Sequence, residues 1–203
     1  MTAEPEPEIY YCSIDIEKSQ SVQGVGIIAV GLVLTNGAGV VLEEKCFSTA
    51  GATWLFDWRT MLFWADHPAI LERIDENSRD SPLTAEALDQ WLRDINVKYG
   101  PFGRQHSRKR QFRWICDNPA YDIGQVNLLL SRTFPESKPL AEYFDDYVPT
   151  SDPTEQYEGL LKAEKDIVDE QLVTPHSHYP TEDAKRDIEM YVAIRSVLAR
   201  RNE

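Results

Sequence analysis

The chain has 203 residues, 42% of them apolar and 27% charged, with three cysteines and a formal net charge of −13. That length suits one folded domain with a full core, and the composition is that of an ordinary soluble globular protein. The acidic balance excludes a protein that coats nucleic acid through a generally basic surface, but not one that engages it at a cation-loaded acidic site.

Residues 1–8, MTAEPEPE, read as a disordered acidic tail. They have the pattern of neither a signal nor a transit peptide, so a cytoplasmic protein is expected. Three strands follow, Ile9–Glu17, Val25–Leu34 and Gly39–Phe47, which the alternating and β-branched pattern predicts as an antiparallel meander. The run GVGIIAVGLVLTNGAGVVL is apolar enough for a membrane span, but Asn36-Gly37 interrupts it with a turn signal, so it reads as a hairpin. From Trp54 to Ile74 the pattern turns helical, with Pro68 breaking or restarting the helix.

A clearer helix follows Pro82, with Thr84 as its cap and Leu88, Trp91, Leu92 and Ile95 at i, i+3, i+4 and i+7. The segment Tyr99–Gln111 reads as a basic loop, Phe112–Cys116 as a strand, and Tyr121–Leu130 as a helix burying Ile123, Val126 and Leu130. After the proline-bearing segment Phe134–Pro153, a helix is expected from Thr154 to Leu172, started by Asp152 and Glu155. The last helix begins near Thr181 and buries Ile188, Tyr191 and Val192. Cys12, Cys46 and Cys116 lie in apolar runs without metal-ligand spacing, as reduced buried thiols do. Residues 9–203 thus read as a single α/β domain, a mixed sheet with a three-stranded meander flanked by helices.

Within this frame, Asp15 and Glu17 are two apart on a strand, so both point to the face that carries Tyr11 and Ser13. A like-charged pair on one face favours either a bound cation or an exposed strand end. Asp122 opens a helix just after Asn118-Pro119, where an acid also suits the helix dipole. Asp117, at the end of the preceding strand, is the alternative ligand in that segment. His178 and Asp183 would lie about 140° apart on one helix, but Pro180 places His178 in the loop entering the helix and Asp183 in its first turn. An imidazole so placed can swing over a site walled by that helix and accept a proton.

The segments SIDIE, DNPAYD and HYPTEDA carry, in order, D-x-E on the first strand, N-x-x-Y-D into a middle helix and H-x-x-x-x-D into the last. This pattern resembles the DEDDh-type 3′–5′ exonuclease family, with a weaker similarity of FDWRTMLFWADHP to its exoribonuclease-like branch. The resemblance implies a ribonuclease-H-like fold, a single exonuclease domain, and stepwise hydrolysis of single-stranded RNA or DNA from its 3′ end. It implies that Asp15, Glu17, Asp122 and Asp183 hold two divalent cations, Mg²⁺ or Mn²⁺, about 3.5–4 Å apart, with His178 as general base. Ile16, Asn118 and Tyr121, inside the same motifs, are candidate substrate contacts, and a homodimer is a further expectation. Tyr121 stands where Phe is commoner and Asp117 where His often precedes the Asn; neither change removes a ligand. The alternative is a nuclease-fold module that binds nucleic acid or protein with little or no chemistry.

Two other features bear on substrate. Arg104, His106, Arg108, Lys109, Arg110 and Arg113 form a basic cluster that is either a solvated loop or a guide for a phosphate backbone, with Arg108, Lys109 and Arg110 the candidates for that contact. Trp54, Phe56, Trp58, Phe63 and Trp64 form either a base-stacking platform or a core or dimer face.

Overall fold

The computed structural model describes residues 8–21, 26–99, 110–133, 139–143 and 147–201. The expected tail lies outside these residues except for Glu8, which opens the first strand. Strand β1 spans Glu8–Lys18, β2 Ile27–Asn36 and β3 Val41–Ser48. These pair antiparallel, as the sequence predicts. The β2–β3 connection is longer than a two-residue Asn-Gly turn. Asn36 Oδ1 accepts from the backbone N–H groups of Ala38 and Val40, and Gly39 takes φ +80° to close the loop.

Strand β4, Arg110–Ile115, lies parallel to β1 on its other side. A fifth strand, β5, Tyr147–Ser151, pairs parallel with β4, giving the sheet order β3-β2-β1-β4-β5. The sequence reading placed no strand there. Pro149 argues against a central strand, but β5 is an edge, where a missing N–H is tolerated.

Between β3 and β4 run α1 (Trp58–Ala65), α2 (Pro68–Asp80) and α3 (Ala85–Tyr99). Pro68 restarts the chain as α2, and Trp54 lies before α1 outside any helix. Asp57 caps α1 by accepting from the N–H groups of Arg59 and Thr60. Thr84 caps α3 through Ala87 N–H at 3.1 Å, as expected. Helix α4 is Asp122–Thr133. The single helix expected over 154–172 is two, α5 (Pro153–Glu158) and α6 (Lys162–Asp169), broken at Gly159–Leu161 where Glu164 turns back to accept from Leu161 N–H. The last helix, α7, runs Pro180–Arg200. Among the described residues no helix is long and apolar enough to cross a membrane, and Cys12, Cys46 and Cys116 are buried free thiols.

The alternation of β1 divides the molecule into layers. Cys12, Ile14 and Ile16 pack with Leu88, Leu92 and Ile95 of α3 and Val126 and Leu130 of α4. Each fully buried leucine or isoleucine there contributes roughly 1.5–3 kcal/mol through area removed from water. Tyr11, on the other face, packs with Val33 and with Ala184, Ile188 and Tyr191 of α7. That second face is the one that carries Asp15 and Glu17.

Gly31 lets α7 come close. It pairs with Asp15 across the β1–β2 ladder, and a Cβ built on it would stand 2.2 Å from Pro180 C and 2.5 Å from Thr181 N. Only a residue without a side chain admits the helix start at that distance, directly beside Asp15.

Candidate metal centre

Asp15 and Glu17, near the C-terminal end of β1, meet Asp183 in the first turn of α7. Ligand oxygens of the three carboxylates lie within 4.8 Å of one another. Asp183 is fixed by the loop that enters its helix. Ser177 N–H donates to Oδ1 at 2.9 Å and His178 N–H to Oδ2 at 3.0 Å. Wrapping these two amides around one carboxylate takes His178 to φ +59°, the one non-glycine positive φ among the described residues. Histidine tolerates this region better than bulky residues do, and such strain persists where the surroundings over-determine it.

Asp122, at the start of α4, is almost wholly buried and accepts from the Cys116 thiol at 3.3 Å and from the backbone of Ile16. Asp117, exposed at the end of β4, shares with Cys116 and Asp122 a second group of ligand atoms within 4.8 Å. The negative charge of Asp122 acts on both Asp15 and Glu17, and that of Asp117 acts on Glu17. Asp187, which the sequence reading missed, lies one turn beyond Asp183 on α7 and accepts from Asp117 N–H at 3.2 Å. The signal for it was two acids four apart on a helix face that must also bury Ala184 and Ile188.

These acids destabilise one another's charged forms. Burial, then Glu17, Asp122, Asp183 and Asp187, raise the Asp15 carboxyl well above the usual carboxylate range. Burial, then Asp183, Asp122 and Asp117, do the same to Glu17. Asp122 is pushed up to about 7, chiefly by burial, and Asp187 is raised by burial and by Asp117. Asp15 Oδ2 is sealed from solvent and has no hydrogen-bond partner among the described residues. An orphaned buried carboxylate oxygen among mutually repelling acids fits a hard divalent cation, because the cation supplies both the missing partner and the opposite charge.

The His178 ring stands at the mouth of this cluster, edge to face with Phe63 (centroids 4.9 Å apart) and His67 (4.7 Å), and close to His176 (4.5 Å). Burial first, then the neighbouring His176, lower its pKa, which favours the neutral imidazole that can accept a proton.

The other candidates are scattered. Tyr121 lies under Lys18, whose ammonium is 5.1 Å from the ring centroid, and Asn118 accepts from the N–H of Asp122 through its backbone carbonyl at 2.9 Å. Ile16 is in the core. Arg110 is not in a loop: it opens β4, is buried, and pairs with Glu8 at 3.4 Å, at the end of β1 remote from Asp15. Arg113 lies in β4 and bonds the Tyr191 hydroxyl. Arg104, His106, Arg108 and Lys109 lie outside the described residues. The aromatic run splits. Trp64 is core and donates to Lys18 O at 2.8 Å, Trp54 donates to Thr49 Oγ1, and Trp58, Met61 and Leu62 are exposed.

No family model matches the sequence, and no curated protein matches it. Solved structures do match. Exonuclease I aligns over 94% of this chain at 12% identity with a TM-score of 0.61, the chain spanning 42% of that protein. The metal-free complex of Escherichia coli exonuclease I with single-stranded DNA aligns over 94% of this chain and 40% of its own at 12% identity, TM-score 0.58. E. coli exonuclease I with a 5cy-dT13 oligonucleotide covers 96% and 41%, at 12% identity and TM-score 0.54. The fold is therefore ribonuclease-H-like, and the chain spans about two-fifths of the exonuclease it matches.

Proposed function

We propose that the chain is a metal-dependent 3′–5′ exonuclease of the DEDDh type, one domain over residues 9–203, that removes terminal nucleotides from single-stranded RNA or DNA. The observation that carries this reading is the convergence of Asp15, Glu17 and Asp183 within 4.8 Å, with Asp15 Oδ2 left without a partner. The likeness to exonuclease I, solved with single-stranded DNA, supports the substrate class.

Asp15, Glu17, Asp122 and Asp183 would hold two Mg²⁺ or Mn²⁺ ions. When bound, these supply the positive charge that makes water a nucleophile at neutral pH and offsets charge on the leaving 3′ oxygen. Asp122 is preferred to Asp117 because it is almost wholly buried and accepts from the backbone of Ile16, which lies between Asp15 and Glu17, whereas Asp117 is exposed. His178 takes the proton of the attacking water at a ring nitrogen and later returns it to solvent. The amide bonds from Ser177 and His178 keep Asp183 aimed at β1 and fix the backbone beneath the imidazole, so base and ligand are positioned by one short loop. Tyr121, Asn118 and Ile16 are the proposed contacts to the terminal nucleotide, Tyr121 and Asn118 from the segment that leads into α4 and Ile16 from between the two acids of β1. Exposed Trp58 is available to stack on a base.

The test is digestion of 5′-labelled single-stranded RNA and DNA with Mg²⁺, Mn²⁺ or EDTA, comparing the wild type with Asp15→Asn, Asp122→Asn and Asp117→Asn. A metal-dependent ladder shortening from the 3′ end, lost in the first two variants and kept in the third, is the expected result. Cleavage of neither polymer by folded, metal-loaded protein would replace the enzyme with a nucleic-acid or protein-binding module of the same fold.

A further inference from the structure

A third group of ligand atoms shares one carboxylate with the acidic cluster. His176, His178 and Asp183 each offer an atom within 4.8 Å of the others, and His176 Nε2 is 3.4 Å from Asp183 Oδ2. Two donors at about 2.0–2.1 Å from a tetrahedral ion stand about 3.3 Å apart, so this pair already has the separation of two ligands of one cation. The imidazole of His178 lies beside it, 4.5 Å from His176 between ring centroids. The three residues sit on one short segment whose backbone is pinned by the two amide bonds to Asp183. His176 is exposed, so its ring is free to turn and close the set, and water completes the tetrahedron. His67 and Phe63 wall the far side of His178 and hold its plane.

The donor chemistry separates this group from its neighbour. Asp15, Glu17 and Asp122 offer oxygen alone, which suits Mg²⁺ and Mn²⁺, whereas two imidazoles and a carboxylate favour a borderline-soft ion of the zinc class. We infer that His176, His178 and Asp183 form a distinct transition-metal site at the mouth of the acidic cluster, whose occupation by zinc removes His178 from proton transfer and halts hydrolysis. The inhibitory consequence rests on the function proposed above; the binding site itself does not. One carboxylate, Asp183, belongs to both groups, so occupation of one alters the other.

Cobalt(II) is the probe, because tetrahedral nitrogen and oxygen ligation gives an intense visible band and all-oxygen octahedral ligation a weak one. The purified chain, stripped of metal and held in excess Mg²⁺, is titrated with Co²⁺, and bound Co²⁺ is then displaced with Zn²⁺. The expected result is a strong band saturating at one equivalent, abolished in His176→Ala, with zinc affinity falling by at least ~10-fold when that ligand is lost. In the cleavage assay, one equivalent of Zn²⁺ stops the wild type, while His176→Ala keeps wild-type Mg²⁺-dependent cleavage and resists zinc. An unchanged band in His176→Ala, or a weak octahedral spectrum in the wild type, overturns the site. A protein that shows the band but cleaves nothing keeps the site and defeats the exonuclease reading, so the two failures are distinguishable.

Discussion

Gly31→Ala places one methyl group between β2 and the start of α7. The new Cβ would stand 2.2 Å from Pro180 C, 2.5 Å from Pro180 O and 2.5 Å from Thr181 N. Carbon atoms settle at about 3.5–4.0 Å, so the helix entry must retreat by at least about 1.3 Å. The obstructing atoms are backbone, and no rotamer change relieves them. Overpacking of this kind costs about 1–3 kcal/mol. The retreat is also aimed at the site, since Gly31 is paired with Asp15 and Asp183 lies in the displaced turn. A misplacement of about 1 Å at a reacting centre costs on the order of 100-fold in rate. The expectation is a lower midpoint in urea, Mn²⁺ affinity by calorimetry reduced by about 10-fold or more, and cleavage reduced by about 100-fold. Gly124→Ala is the matched control. It makes the same change in α4, where nothing lies within 4 Å of the added methyl, and should raise stability by up to about 1 kcal/mol. Wild-type melting and wild-type Mn²⁺ affinity in Gly31→Ala would refute the claim that this glycine sets the distance between α7 and β1.

Four more expectations follow from the same geometry. In EDTA the protein should lose stability as pH rises from about 4 to about 7. Asp122 has its folded pKa raised to about 7, so the folded state binds more protons than the unfolded state across that window, and the slope is negative. The loss from Asp122 is on the order of 4 kcal/mol, and thermal melts with Mn²⁺ added should flatten it. His178→Ala should lower the cleavage rate by about 10²–10⁴-fold while Mn²⁺ binding persists, since the ring moves a proton and is not among the oxygen ligands. Thr84→Ala should cost about 1 kcal/mol in chemical denaturation, by loss of the α3 cap, with cleavage unchanged. If Trp58 stacks on bases, tryptophan emission should respond to a single-stranded oligonucleotide in the wild type and much less in Trp58→Ala; equal responses would remove that role.

The parts of the fold that were readable in the sequence are those where one period dominates. Alternation in β1 put Cys12, Ile14 and Ile16 on one face and Asp15 and Glu17 on the other, which is how the layers divide. The 3.6-residue period of α3 put Leu88, Leu92 and Ile95 into the core. What escaped depended on tertiary context. Strand β5 is hidden by Pro149, because the sequence does not say which strand will be an edge. The break between α5 and α6 needs Gly159 and the Glu164 side chain together, and neither alone stops a helix. Arg110 looks like part of a basic loop until Glu8 arrives beside it from a strand about a hundred residues away. For the candidate site, residue types and order were legible. The burial of Asp122, the participation of Asp187 and the proximity of His176 and His67 to His178 were not, since each depends on how α4, α7 and α2 are set against β1.

The distance along the chain between Asp15 and Asp183 also governs when this centre can exist. The two acids of the first strand have no third companion from α7 until that helix has packed across β1 and β2. Any ion held between them therefore ties the first strand to the last helix as a clasp. By linkage, a ligand that binds only the assembled form suppresses its opening. Amide hydrogens in the first turns of α7 should thus exchange quickly in chelator and slowly in Mn²⁺, while those of α3, on the opposite face of the sheet, keep one rate in both.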